Sequence, residues 1–186
     1  MNLPNSLTLS RVLLIPIFMA VFYSPLPWKH LLAAGLFAIA AATDWLDGYL
    51  ARRLGQTSAF GAFLDPVADK LLVATALVVL VQSDPRALLA LAAAIIIGRE
   101  IAVSALRELM AELGNRTAVS VAMIGKIKTT AQLIAIVLML YREPVLGLPV
   151  YDIGFLLLYV AAVLTLWSMV VYLRAAWPVI RPGAKS

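Results

Sequence analysis

Long uninterrupted apolar runs are what most limit the folds open to this chain. Six of them, at about residues 7–23, 31–53, 60–81, 86–109, 119–141 and 153–177, are bounded by charge, Pro or Gly. A helix of roughly 17–25 residues is what a bilayer crossing requires. A soluble helix needs a polar face, and most of these runs lack one. With 63% of residues hydrophobic and a mean hydropathy of +0.95, a greasy soluble bundle does not compete. The expected fold is therefore all-α, an integral membrane protein forming a single bundle of six transmembrane helices over residues 1–186. The connections are short: Ser24-Pro25-Leu26-Pro27, Gln82-Ser83-Asp84-Pro85, and Arg142 through Pro149. Short connections make sequence neighbours pack antiparallel.

Charge sets orientation and removes other classes of function. Of the 15 Lys and Arg residues, Lys29, Arg86 and Arg142 fall on one side of the spans and the rest fall on the other. The positive-inside rule then puts both termini and the charged cluster in the cytoplasm. A net charge of +5 gathered at helix ends, not in a stripe, argues against nucleic acid. The absence of cysteine excludes disulfides and thiolate metal ligation. The first run follows an uncharged start and shows no small-x-small cleavage site, so no cleavable leader is expected. Trp28 and Trp177 suit interfacial anchoring, and His30 reads as a loop residue on the far side.

The informative segment runs from Asp44 to Asp69. Asp44 and Asp47 are three apart and Asp65 and Asp69 four apart, so on helices each pair shares a face within one turn. The turn near residues 55–58 lets the end of the second helix meet the start of the third. Ionised carboxylates brought so close need compensating charge. An all-carboxylate ligand set suits hard cations such as Mg²⁺ or Mn²⁺ better than zinc. Charged side chains within spans are costly, and that marks them as functional. The competing explanation is that these carboxylates snorkel and pair with Arg52, Arg53 and Lys70. Gly48, directly after Asp47, and Gly61, one turn before Asp65, would let a flat base or a phosphate approach the backbone. Close helix packing through small residues explains them equally well.

The spacing Asp44-x2-Asp47-Gly48-x2-Ala51-Arg52-x8-Gly61-x3-Asp65-x3-Asp69 resembles the signature of the CDP-alcohol phosphotransferase family at every position. The likeness covers the whole chain, including the opening Pro4-Asn5-x2-Thr8-x2-Arg11. Within the family it is nearest to bacterial members that use glycerol 3-phosphate. Asp65 through Lys70, Arg99-Glu100-Ile101, Ser104 through Arg107, and Gly125 through Thr130 carry that nearer likeness. The resemblance implies the family's six-helix fold and transfer of the phosphatidyl group of CDP-diacylglycerol to sn-glycerol 3-phosphate, releasing CMP. It implies two ions, Mg²⁺ or Mn²⁺, on Asp44, Asp47, Asp65 and Asp69, with Asp69 also the base that takes the acceptor's proton. It implies that Asn5, Thr8, Gly48, Arg52 and Gly61 line the nucleotide site. It further implies a homodimer in the bacterial cytoplasmic membrane, surrounded by membrane lipid.

An acceptor bearing a phosphate dianion calls for a basic pocket. Arg99 and Arg107 lie eight residues apart, roughly 12 Å along a helix and about 80° around it, so both can face the interior. Guanidinium forks suit phosphate oxygens. Glu100 neighbours Arg99 in sequence but not on its face, and could brace another basic group. Lys126 and Lys128 are two apart and point to nearly opposite faces, so at least one is expected in the pocket. Serine, inositol phosphate or phosphatidylglycerol would be alternative acceptors. A cation carrier with intramembrane aspartates is the alternative from another class.

Overall fold

The computed structural model describes the backbone of residues 3–54, 59–113 and 123–180, with side chains described for 9–43, 64, 66–113 and 128–180. Six helices account for nearly all of it: α1 (Leu3–Tyr23), α2 (Lys29–Leu54), α3 (Ala59–Ser83), α4 (Ala87–Glu112), α5 (Met123–Tyr141) and α6 (Val150–Ile180). Among the described residues, α3, α4 and α6 are each long and apolar enough to cross a membrane. Shorter apolar stretches lie in α1, α2 and α5. Several helices run past the apolar runs, α1 starting at Leu3 and α6 ending at Ile180. Apolar composition marks the part that lipid can cover, whereas backbone hydrogen bonding continues into the polar ends.

The helices close into a ring. α1 packs between α2 and α3, α2 continues to α5, α5 to α6, α6 to α4, and α4 returns to α3. Phe18 and Phe37 meet at the α1–α2 contact with ring centroids 6.5 Å apart. The main core extends through Leu77 and Leu80 of α3, Leu89 and Ile96 of α4, Ile136 and Met139 of α5, and Leu158 of α6. Many large apolar side chains, such as Ile101, Leu156 and Trp167, are instead exposed at the bundle surface. That inside-and-outside apolarity belongs to a protein solvated by lipid.

Small residues set the closest approach. A Cβ on Gly154 of α6 would lie 2.9 Å from the Ala135 carbonyl oxygen and from Leu138 and Met139 side-chain atoms, so α5 and α6 meet there at backbone distance. The α5–α6 connection turns at Leu146-Gly147, both with positive φ (53° and 79°). Val145 and Leu148 exchange backbone hydrogen bonds of 2.9 and 3.3 Å across it. Gly147 suits this primed turn because it lacks a Cβ.

At the same end of the bundle, polar side chains tie the loops together. Arg86 grips Asp84 through Nε at 2.8 and 3.0 Å, and Tyr151 donates its hydroxyl to the same carboxylate. Arg142 donates to the Ser83 carbonyl at 3.2 Å. His30 is not a loop residue: it occupies the first turn of α2, its ring edge-on to Phe22 at 5.8 Å.

Candidate active site

Each candidate residue falls on a helix. Asn5 and Thr8 are on α1, and Asp44, Asp47, Gly48 and Arg52 are in the second half of α2. Gly61, Asp65 and Asp69 are in the first three turns of α3, Arg99 and Arg107 on α4, and Lys126 and Lys128 on α5. The side chains of Asn5, Thr8, Asp44, Asp47, Arg52, Asp65 and Lys126, and the surroundings of Gly48 and Gly61, lie outside what the structure describes. Asp69, Arg99, Arg107 and Lys128 lie within it.

Asp69 is held from the neighbouring helix. Arg11 of α1, wholly out of solvent, donates from one terminal guanidinium nitrogen to Asp69 Oδ1. Asp69 keeps 38% of its side-chain surface exposed. It stands on the wall of a cavity of about 340 Å³ between α3, α4 and α5, together with Lys70, Glu100, Arg107, Thr129 and Gln132. The remaining wall is apolar, including Leu71, Ile96 and Ile101. Arg11 had counted in the sequence only as a basic residue and as part of an opening motif. Its position inside an apolar run, where a charge is costly, was the signal available.

A second cavity of about 140 Å³ adjoins the first, sharing Glu100, Arg107 and Thr129. Arg99, Val103, Lys128 and Tyr172 complete its wall. Arg99 belongs to the buried stripe of α4 that also carries Ile96, Val103, Leu106 and Met110. Its guanidinium donates to Glu100 Oε1 at 2.7 Å and Ser168 Oγ at 3.3 Å, and lies 5.7 Å from the Tyr172 ring centroid. Lys128 is buried, 3.7 Å from the same Glu100 oxygen, and its Nζ has no hydrogen-bond partner among the described residues. Arg99 Nε is likewise buried without a hydrogen-bond partner among the described residues. Buried donors with hydrogen-bonding capacity to spare, facing a cavity, suit an anionic ligand.

Glu100 departs from the sequence reading. It reaches Arg99 as well as Lys128, because two long side chains can bend around the helix to meet although their Cβ atoms diverge. Ser168 and Tyr172 were missed altogether. With Thr165 they recur on the buried stripe of α6, a polar seam within an apolar helix that could have been noticed.

For divalent ions, the donor chemistry fits. α2 and α3 carry the four aspartates, the chain has no cysteine, and its one histidine, His30, opens α2 at the other end. That set offers hard oxygen donors and no soft competitor.

Two adjoining cavities, one edged by Asp69 and the other by the buried Arg99 and Lys128, in a bundle with helices apolar enough to cross a bilayer, suit a membrane protein that handles a charged group. The chain belongs to the CDP-alcohol phosphatidyltransferase family, whose sequence profile matches residues 1–167. It is 57% identical over 186 residues to a Pseudomonas fluorescens protein, covering 100% of this chain and 95% of that one. It is 54% identical over 175 residues to proteins of Escherichia coli (strain K12) and Shigella flexneri, with 94% of each chain covered. All three bear the name CDP-diacylglycerol–glycerol-3-phosphate 3-phosphatidyltransferase. With the family assigned, the cation-carrier alternative is set aside.

Proposed function

We propose that this protein transfers the phosphatidyl group of CDP-diacylglycerol to sn-glycerol 3-phosphate, forming phosphatidylglycerophosphate and CMP. The observation that carries this reading is full-length identity of 54–57% to relatives bearing that enzyme name. The buried Arg99 and Lys128 beside the Asp69 cavity are the structural support for a phosphate-bearing acceptor over serine.

In the reaction, the acceptor's 1-hydroxyl oxygen forms a bond to the β-phosphorus of the nucleotide as the bond from that phosphorus to the CMP oxygen breaks. The hydroxyl proton passes to the Asp69 carboxylate. Arg11 fixes the direction of that carboxylate, and a planar guanidinium holds it more rigidly than an ammonium would. Arg99, Lys128 and Arg107 take the acceptor's phosphate in the smaller cavity, leaving its carbon chain to run toward Asp69 through the shared wall. Asn5, Thr8, Gly48, Arg52 and Gly61 line the nucleotide site. Asp44, Asp47, Asp65 and Asp69 would hold two Mg²⁺ or Mn²⁺ ions, supplying charge neutralisation of the diphosphate and of the departing CMP. The protein works as a homodimer in the bacterial cytoplasmic membrane with termini and site on the cytoplasmic side, where the Lys and Arg residues gather.

The test is CMP release by Asp69→Asn, which keeps the side chain's shape and removes its basicity. A variant eluting as the wild type does in detergent should release no CMP above background. Near-normal release would overturn the assignment of Asp69 as base.

A further inference from the structure

Among the described residues, Glu100 is the one acidic side chain on the walls of the smaller cavity, whose other charged members are Arg99, Arg107 and Lys128. Its Oε1 lies 2.7 Å from Arg99 Nη1 and 3.7 Å from Lys128 Nζ, so one oxygen serves both buried cations. The two cations are 7% and 3% exposed, fixed in the bundle, whereas Glu100 is 27% exposed where the two cavities meet. The carboxylate is therefore the partner with room to move. Lys70 stands on the larger cavity's wall, giving a displaced carboxylate a cation on that side.

We propose that Glu100 is an exchangeable internal anion: it occupies Arg99 and Lys128 in the empty pocket, and the acceptor's phosphate displaces it. This rests on the reading of the pocket as the acceptor-phosphate site. Among the described residues, Arg99, Arg107 and Lys128 against Glu100 leave a net charge of +2 on the wall while Glu100 is in place. A phosphate monoester carries about −1.5 to −2 at neutral pH. The three cations that Glu100 leaves behind outnumber that charge, so a phosphate can take its place, and while it stays Glu100 offsets one of them. It also keeps two buried cations from facing each other uncompensated when no acceptor is bound. A ligand must compete with Glu100 to bind, so the apparent affinity is below the intrinsic one by the fraction of pockets in which the carboxylate has already left. An uncharged alcohol has nothing to exchange and does not displace it. Glu100 is a positioning and selectivity residue, not one that touches the reacting atoms.

The experiment titrates glycerol 3-phosphate, inorganic phosphate and glycerol separately into wild type, Glu100→Gln and Glu100→Asp in detergent, alongside CMP-release kinetics. Glu100→Gln keeps an acceptor for the Arg99 hydrogen bond and removes the competing charge. It should bind both phosphates about tenfold more tightly, with weak glycerol binding and the KM for CDP-diacylglycerol unmoved. Glu100→Asp, which keeps the charge in the pocket, should stay within about threefold of wild type. Unchanged or weaker phosphate binding in Glu100→Gln overturns the exchange, as does identical behaviour of the two variants. A brace of purely structural kind would weaken phosphate binding in both. The underlying reading fails separately, if wild-type CMP release does not depend on glycerol 3-phosphate while the binding changes persist.

Discussion

Arg11 holds Asp69 across the α1–α3 contact from a fully buried position, so charge and geometry at that point can be separated by substitution. Arg11→Lys retains the charge but loses the planar fork. It should lower kcat by about 100-fold through misplacement of the carboxylate, with a smaller change in the KM for either substrate. Equal kcat in steady-state assays of the two proteins would contradict the positioning role. Lys128 works on a different quantity. Lys128→Met fills the same volume without the ammonium and should raise the KM for glycerol 3-phosphate about 10–100-fold. Its KM for CDP-diacylglycerol should not move. A rise in both constants would mean that Lys128 supports the bundle and not the acceptor. The pairing of Arg11 with Asp69 was hidden in the sequence because it joins two helices, and no spacing along one helix reports it. Placing Lys128 on the pocket wall likewise needed the rotation of α5, which a helix beginning near a glycine does not reveal from sequence.

Helix pairs make their own predictions. Gly154→Ala would press a methyl into α5 where atoms already lie 2.9 Å from its position, costing about 1–3 kcal/mol. Its melting temperature in detergent should fall clearly below wild type. An unchanged melting temperature would mean that α6 slides away from α5 without cost. The loop clasp at the end opposite the aspartates responds to pH. The hydrogen bonds from Arg86 hold the Asp84 carboxyl below its ordinary value, aided by the Tyr151 hydroxyl. A depressed carboxyl contributes stability above its unfolded value of about 3.9 and loses it as pH falls through the folded value. Wild type should therefore lose more melting temperature between pH 7 and pH 3.5 than Asp84→Asn, which has no charge there to lose. Parallel losses would show that the clasp does not couple to folding. The six helices themselves were legible because lipid demands long apolar runs, while their ends were not, since helical bonding continues past the last apolar residue. His30 was misplaced for that reason, its charge-flanked position marking the membrane edge and not the helix end.

At the scale of the whole molecule, ring closure sets α3 and α4 side by side, so that the cavity beside Asp69 and the pocket around Arg99 share a wall. Divalent ions should be indispensable: EDTA should abolish CMP release, and Mg²⁺ or Mn²⁺ should restore it. Full activity after exhaustive chelation would remove the proposed role of the four aspartates. Fixed spacing from Asp44 to Asp69 puts four aspartates on two successive helices, and the side chains of Asp44, Asp47 and Asp65 lie outside the described residues. The pocket around Arg99 was legible only as a set of basic residues. Its organising carboxylate at Glu100 and the polar seam through Ser168 arise from packing among α4, α5 and α6. The most direct measurement is CMP release by the purified protein with CDP-diacylglycerol, Mg²⁺ and a panel of acceptors: glycerol 3-phosphate, serine, inositol phosphate and phosphatidylglycerol. Release with glycerol 3-phosphate alone is the predicted result; release with another acceptor and not with glycerol 3-phosphate would contradict it.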